Sequence, residues 1–304
     1  MKRRVLNKGK DRRAVLVTRA TEYEQLLLRH STLGQARFYL DSRGQSLDVV
    51  EERHARFLEA RKAVEEALPS TWRSARVRRE HLDRFLFEPD DLVLVIGQDG
   101  LVANVAKYLS GQVVMGFNPA PDLYDGVLVR HAPGRARGLF EALGAQQLSI
   151  EERSMVEARL DSAQSLLALN EIFIGQAGHQ SARYHIRWQD QRERQSSSGI
   201  IVTTGTGATG WARSINRIRA TPLTLPAPGD PRLAFFVREP FPSRATGVEL
   251  DGGLILTGQT LQIQSRMNES GVVFGDGIEE DRLNFHWGRT LEIRVAKTRL
   301  RLAG

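Results

Sequence analysis

The chain contains no cysteine among its 304 residues, which excludes disulfide staples, thiolate nucleophiles and cysteine-based zinc sites together. That absence does not by itself define a redox compartment. Long apolar runs are also missing. The longest, such as Leu92 to Ile96 and Gly199 to Val202, are strand-sized, against the roughly 20 residues that a membrane-crossing helix needs. No membrane partner is therefore expected. Aromatic residues make up only 7%, and the basic clusters lack the interleaved rings on which single-stranded nucleic acid stacks.

Hydrophobic residues amount to 41% and charged residues to 26%, the mixture of a soluble globular protein. The length suffices for two domains, each with its own core, although one large fold is also compatible with it. A formal charge of +7 and a pI near 10.0 favour polyanionic ligands, nucleotide and nucleic acid alike. The clusters themselves, MKRRVLNKGKDRR at the N-terminus and RSARVRRE (Arg73 to Glu80), read as solubilising surface, so nucleic acid ranks last among the partners. The N-terminal arm leads into a strand-like AVLVT (Ala14 to Thr18) and not into a signal-peptide core. A mitochondrial presequence would be longer and rich in Ser and Arg, so a cytoplasmic location is expected.

Apolar strand-sized runs alternate with helical ones in the first part: Ala14 to Thr18, Arg73 to Arg79, Leu92 to Ile96 and Val113 to Asn118. This order predicts an α/β N-terminal domain with a parallel sheet. Between the first two runs, Leu47, Val50, His54, Phe57, Val64 and Leu68 fall at steps of three and four ahead of Pro69, predicting a helix over Ser46 to Leu68. His54 on its buried face reads as a satisfied core residue. From Glu151 the pattern changes. One helix is expected over Ile150 to Leu169, and then short runs separated by Gly, Pro and Asp predict a β-rich C-terminal domain, an antiparallel β-sandwich. The boundary is placed at 1–140 and 141–304, near the polar HAPGRARG link (His131 to Gly138).

Three segments could carry chemistry. In DLVLVIGQDG (Asp91 to Gly100) a buried strand empties into Gly97, Asp99 and Gly100, and a helical run, LVANVAKYL, follows. Strand, glycine loop and helix start make a phosphate site, because glycine admits backbone N–H groups to phosphate oxygens and the helix dipole adds attraction. Asp99 beside it could accept a hydroxyl proton or hold magnesium; a plain turn serves the tetrapeptide equally well. In SSGIIVTTGTGATGWARS (Ser196 to Ser214) a strand runs into a loop in which Thr203, Thr204, Thr206 and Thr209 offer hydroxyls and Gly205, Gly207 and Gly210 offer backbone access. Such a loop suits ribose or diphosphate. In LALNEIFIG (Leu167 to Gly175) the pair Asn170 and Glu171 is set among apolar residues and needs partners, with a helix cap or a backbone bond as the plainer explanation.

In this order the three segments resemble the NAD kinase family: GQDG (Gly97 to Gly100) is similar to its GGDG motif, Asn170 and Glu171 to its asparagine-acidic pair, and TTGTGATGW (Thr203 to Trp211) to its STPTGSTAY-like loop. REPF (Arg238 to Phe241) and SRMNESGVVFGDG (Ser265 to Gly277) are similar to the later strands of the mitochondrial-type branch. The resemblance implies transfer of the terminal phosphoryl group of ATP, or polyphosphate, to the 2′-hydroxyl of NAD. It assigns Asp99 to catalysis, with Gly97, Gly100, Asn118, Asn170, Glu171, Thr204, Thr206, Thr209, Gly210 and Trp211 as phosphate- and nucleotide-binding residues. Mg²⁺ would enter with the nucleotide, with Asp99 as its one candidate ligand and no side-chain metal cluster, and the assembly would be a dimer or larger. Gln98 stands in place of the family's second glycine, Leu101 of its threonine and Gly205 of its proline; a positive φ at Gln98 would cost about 1–2 kcal/mol. Two alternatives stay open: a catalytically silent nucleotide-binding sensor, and a kinase acting on a lipid or other hydroxyl-bearing acceptor.

Overall fold

The computed structural model describes residues 12–304; the basic stretch 1–11 lies outside the described residues. The chain divides into two compact units. The first comprises the described residues up to Val105, then Gln112–Glu151 and Arg301–Gly304; the second comprises Ala106–Gly111 and Glu152–Leu300.

In the first unit, strands β1 (Arg13–Thr18), β2 (Arg73–Arg78), β3 (Leu92–Ile96) and β4 (Val113–Phe117) pair in parallel in the order β2-β1-β3-β4. The C-terminal residues Arg301 and Leu302 extend the sheet, in parallel, beside Val113 and Val114. Every residue of β3 and β4 is buried, as in a parallel sheet covered on both faces. The helices are α1 (Glu22–His30), α2 (Leu33–Asp41), α3 (Leu47–Glu66), α4 (Asp99–Ala106) and α5 (Ala136–Gly144). The Ser46 side chain accepts from Asp48 N and caps α3, and Phe57, Ala60 and Val64 share a core with Leu16, Leu92 and Leu94. His54 is satisfied: Nδ1 lies 2.8 Å from the Thr21 hydroxyl, and the ring stacks on Tyr23.

The strands associated with the second unit are, in chain order, β5 (Ile150–Leu160), β6 (Ser165–Ala168), β7 (Glu171–Gln176), β8 (Ala182–Trp188), β9 (Gln191–Ser197), β10 (Ile200–Thr203), β11 (Arg232–Val237), β12 (Gly252–Leu256), β13 (Leu261–Ser265), β14 (Gly271–Gly275), β15 (Ile278–Asn284) and β16 (Thr290–Ala303), with α6 (Trp211–Arg217) after β10. One antiparallel sheet runs β12-β11-β10-β7-β14-β15, and in the other β16 pairs with β13, β13 with β8 and β8 with β9. Their facing sides form one core, with Tyr184, Ile186 and Ile263 from one sheet and Ile172, Ile174, Val202 and Phe235 from the other. Period-two burial drives this packing: in β8, Ala182, Tyr184, Ile186 and Trp188 point in, and Arg183 and Arg187 point out.

The helix expected over 150–169 is instead a hairpin. Val156 pairs with Ala168 and Ala158 with Leu166, and the chain reverses at 161–164, where Ala163 takes φ 66°. Val156, Ala158 and Leu160 are buried while Arg159 is exposed. A core that rewards every second residue overrides the helical spacing also present in this stretch. Among the described residues no helix is long and apolar enough to cross a membrane.

Candidate functional site

In the first unit the phosphate-loop candidate follows β3. Gly97 N donates to Phe117 O at 3.1 Å, Gln98 is exposed, and α4 begins at Asp99 itself. Gln98 is absent from the described non-glycine residues with positive φ, so the backbone cost anticipated there does not arise. A Cβ on Gly100 would meet nothing within 4 Å.

The Asp99 carboxylate is engaged by a neighbouring loop. Its Oδ1 accepts from Leu128 N at 2.7 Å and Val129 N at 2.9 Å, and Oδ2 accepts from Val127 N at 2.9 Å. A carboxylate offers about four acceptor positions, so one position remains. Two features bring the loop so close. Gly116 on β4 has no room for a side chain, since a Cβ there would lie 2.7 Å from Val129 Cα. Gly126 turns at φ 64° with Val129 O 2.7 Å from where a Cβ would stand. Asn118, buried, ties the loop together: Nδ2 donates to Tyr124 O at 2.8 Å, and Oδ1 accepts from Ala120 N at 3.0 Å. The Asn118 amide is thus occupied in shaping the loop that holds Asp99.

In the second unit, Asn170 and Glu171 lie where β6 passes into β7. Their organiser is a residue not anticipated from sequence. Asp276, at φ 55° in the Gly275-Asp276-Gly277 turn, accepts from Leu169 N at 2.8 Å through Oδ2 and from Asn170 N at 2.7 Å through Oδ1; its own N–H donates to Glu171 O at 3.0 Å. Burial pushes the Asp276 carboxyl up to about 6, against the pull of the backbone N–H groups of Leu169 and Asn170, the Lys107 ammonium and the Glu171 backbone. Glu171 is pushed up to about 7, first by burial and then by the Asp276 charge. Lys107 Nζ, itself buried, lies 2.6 Å from Asp281 Oδ2 and 3.4 Å from Gly275 O. The sequence signals for Asp276 were its glycine neighbours, a pattern like the one around Asp99, and its place in SRMNESGVVFGDG; neither pointed to a bond with the Asn170 turn.

The Thr/Gly loop packs on this turn. Thr204 N donates to Asn170 O at 2.9 Å, and the fully buried Thr204 hydroxyl donates to Leu169 O and accepts from Thr206 N at 3.0 Å. Thr203 is also buried and donates to Asn170 O at 3.3 Å. Both hydroxyls therefore build the loop. The Thr206 hydroxyl is buried without a hydrogen-bond partner, and the side chains of Asn170 and Thr209 make no hydrogen bond among the described residues. Thr209 and Gly210 are exposed. Trp211 stacks on Phe173 with ring centroids 6.1 Å apart and 8° between planes, and the Arg238 guanidinium covers it at 4.7 Å. Glycine is needed at 205 and 207: a Cβ at Gly205 would overlap the Ala227 carbonyl, and one at Gly207 would overlap that of Asn170. The structure thus brings Asn170, Glu171, Thr204 and Thr206 together, and holds Gly97, Asp99, Gly100 and Asn118 in the other unit. Among the described residues no group of three or more His, Asp or Glu gathers to hold a metal ion.

The NAD kinase 2 of rat mitochondria is 25% identical over 315 residues, covering 76% of this chain and 74% of that protein. An NAD kinase of Chlorobaculum tepidum is 30% identical over 127 residues, covering 41% of this chain and 44% of that one. The chain is related to the NAD kinases. The human mitochondrial NAD kinase 2 is 30% identical over 175 residues, 46% of this chain and 37% of its own length. No family model matches. The fold agrees with that of an NAD kinase from Archaeoglobus fulgidus solved in complex with ATP, at a TM-score of 0.56 and 18% identity over 96% of this chain and 93% of that one. The α/β unit with its parallel sheet and the separate antiparallel β unit are those of the NAD kinase fold.

Proposed function

We propose that the chain is an NAD kinase that moves the terminal phosphoryl group of ATP to the 2′-hydroxyl of NAD, giving NADP. The observation that carries this reading is the Asn170–Glu171 turn. It presents a free amide and a carboxyl raised to about 7 beside a buried, unpartnered Thr206 hydroxyl. Polar groups left unpaired by the protein cost about 1–3 kcal/mol each, a cost that ribose hydroxyls and a diphosphate would offset. In this reading Asn170 and Glu171 grip ribose, Thr206, Thr209 and Gly210 face the dinucleotide, and Trp211 gives it a flat apolar wall. Thr204 and Asn118 act indirectly, by fixing the two loops. The domain roles follow: phosphate handling in the α/β part, dinucleotide recognition in the β-rich part.

Asp99 takes the proton of the attacking hydroxyl through its one remaining acceptor position, while Gly100, with open space where a Cβ would stand, leaves the backbone accessible to phosphate; Gly97 contributes the bend, its N–H being spent on Phe117 O. A lone carboxylate suits Mg²⁺ carried on phosphates, which keeps most of its ligands from water and nucleotide; the ion would neutralise phosphate charge. Because such a transfer asks mainly for positioning, this residue set is sufficient. The reading includes a dimer or larger assembly, which sedimentation would report, and a cytoplasmic location. Incubation of the purified chain with NAD, ATP and Mg²⁺ is expected to yield NADP; NAD binding without NADP would overturn the proposal.

One observation favours a second reading, a silent nucleotide sensor. Three of the Asp99 acceptor positions are taken by Val127, Leu128 and Val129, as they would be if the residue only held a loop. In that case Gln98→Gly restores turnover; in a working enzyme it does not.

A further inference from the structure

A cavity of about 830 Å³ lies in the second unit and takes in none of the residues assigned above. Glu171 and Gln176 are the two ends of β7, about 16 Å apart at 3.3 Å per residue; Gln176 lines the cavity, and Glu171 belongs to the other site. The volume is that of a nucleotide-sized ligand pocket. Its walls are polar, with Ser181, Ser270, Gln180 and Asn268 beside two arginines, Arg183 and Arg266.

These arginines are adjacent across β8 and β13, where Arg266 N donates to Arg183 O at 2.8 Å. Neither side chain has a carboxylate partner among the described residues. Arg266 Nε is buried and makes no hydrogen bond, while its guanidinium rests on the Trp287 ring at 4.2 Å. Trp287 is 53% exposed, so it retains open surface. The surrounding field is positive. On the same outward face His185 is held below its ordinary value by burial and then by the charges of Arg192, Arg266 and Arg194. Glu269 is the one acidic residue lining the cavity.

A buried guanidinium N–H without an acceptor, next to a second unpaired arginine, is a planar donor arrangement that the oxygens of a multiply charged phosphate satisfy. We propose that the Arg183–Arg266 pocket binds a phosphoanhydride, with Arg266, clamped on Trp287, as its anchor. The pocket is independent of the kinase reading. Either free pyrophosphate or the diphosphate of a nucleotide would meet this chemistry, the latter with its base against Trp287.

The test is calorimetric titration of inorganic pyrophosphate and of ADP into the full chain, native and Arg183→Gln/Arg266→Gln. The proposal expects a binding event that the double variant weakens at least tenfold with its melting transition unchanged. If pyrophosphate shows this event, the phosphoanhydride alone suffices; if only ADP does, the base takes part. A double variant that binds both as tightly as the native chain, or a native chain that binds neither, overturns it. NADP formation by the same two proteins separates the readings. Unchanged titrations with NADP formed sink only this pocket, and a lost pyrophosphate event without NADP in either protein sinks only the kinase.

Discussion

Asp99 and Asp276 both stand beside glycine in a tight bend and both accept backbone N–H bonds, but their surroundings differ. Asp99 opens a helix and binds three consecutive N–H groups of one loop. Asp276 turns between two antiparallel strands, accepts from N–H groups of the Asn170 turn, those of Leu169 and Asn170 among them, and has a second carboxylate, Glu171, as its neighbour. In the first unit one acid fixes a loop. In the second, burial raises both acids and the Asp276 charge raises Glu171 further, where ribose hydroxyls are proposed to bind. The same short motif serves two purposes, and the partners decide which.

Of the two turns, that of Asp276 is the more sensitive to loss of its carboxylate. Asp276→Ala leaves the N–H groups of Leu169 and Asn170 without acceptors, at about 1–3 kcal/mol each, less the relief of a buried charge. A loss of about 3 kcal/mol in urea unfolding is expected, and a loss below 1 kcal/mol would mean that the turn holds without it. Next comes Gly205→Ala, whose methyl would meet the Ala227 backbone; overpacking of this kind costs about 1–3 kcal/mol, measurable as a lowered melting midpoint.

The carboxylate pair sharpens the contrast through pH. Folded-state values near 7 for Glu171 and 6 for Asp276 exceed the ordinary 4.5 and 3.8. Between about pH 4 and 7 the folded state therefore binds more protons than the unfolded chain. Stability contributed by this pair is present below pH 4 and is lost as pH rises through 6 and 7. Glu171→Gln should flatten that fall relative to the native chain in unfolding measured across pH 4.5 to 7.5; parallel curves would show that Glu171 ionises freely. The smallest effect belongs to the first unit. Gly100→Ala places a methyl in open space on α4, so stability should rise by about 0.5–1 kcal/mol while ATP affinity falls, if the bare backbone there admits phosphate.

Much of the α/β unit was legible because its signals are local. Ser46 caps α3, the all-apolar run Leu92 to Ile96 is a central strand, and the glycines of GQDG mark the passage to α4. The Asn170–Glu171 pair and the Thr/Gly loop were legible as polar groups out of place. Asp276 was not, because what distinguishes it from any turn aspartate is its bond to Asn170, 106 residues away. The 150–169 hairpin was misread for the related reason that its register comes from distant pairing. Polar strands such as β9 and β15 carry too little alternation to be seen before their partners are known. The Thr204 hydroxyl looked available in sequence and is consumed by Leu169 and the loop itself.

The central claim is that Asp99, held by three N–H groups, still has an acceptor position with which to activate a hydroxyl. It is tested most directly by NADP formation from NAD and ATP with native and Asp99→Asn chains, read beside NAD binding by both. General-base removal costs about 10²–10⁴ in rate, so the account predicts NADP from the native chain and at least a hundredfold loss in the variant with NAD still bound. Equal rates in the two, or NAD binding without turnover in the native chain, would contradict it.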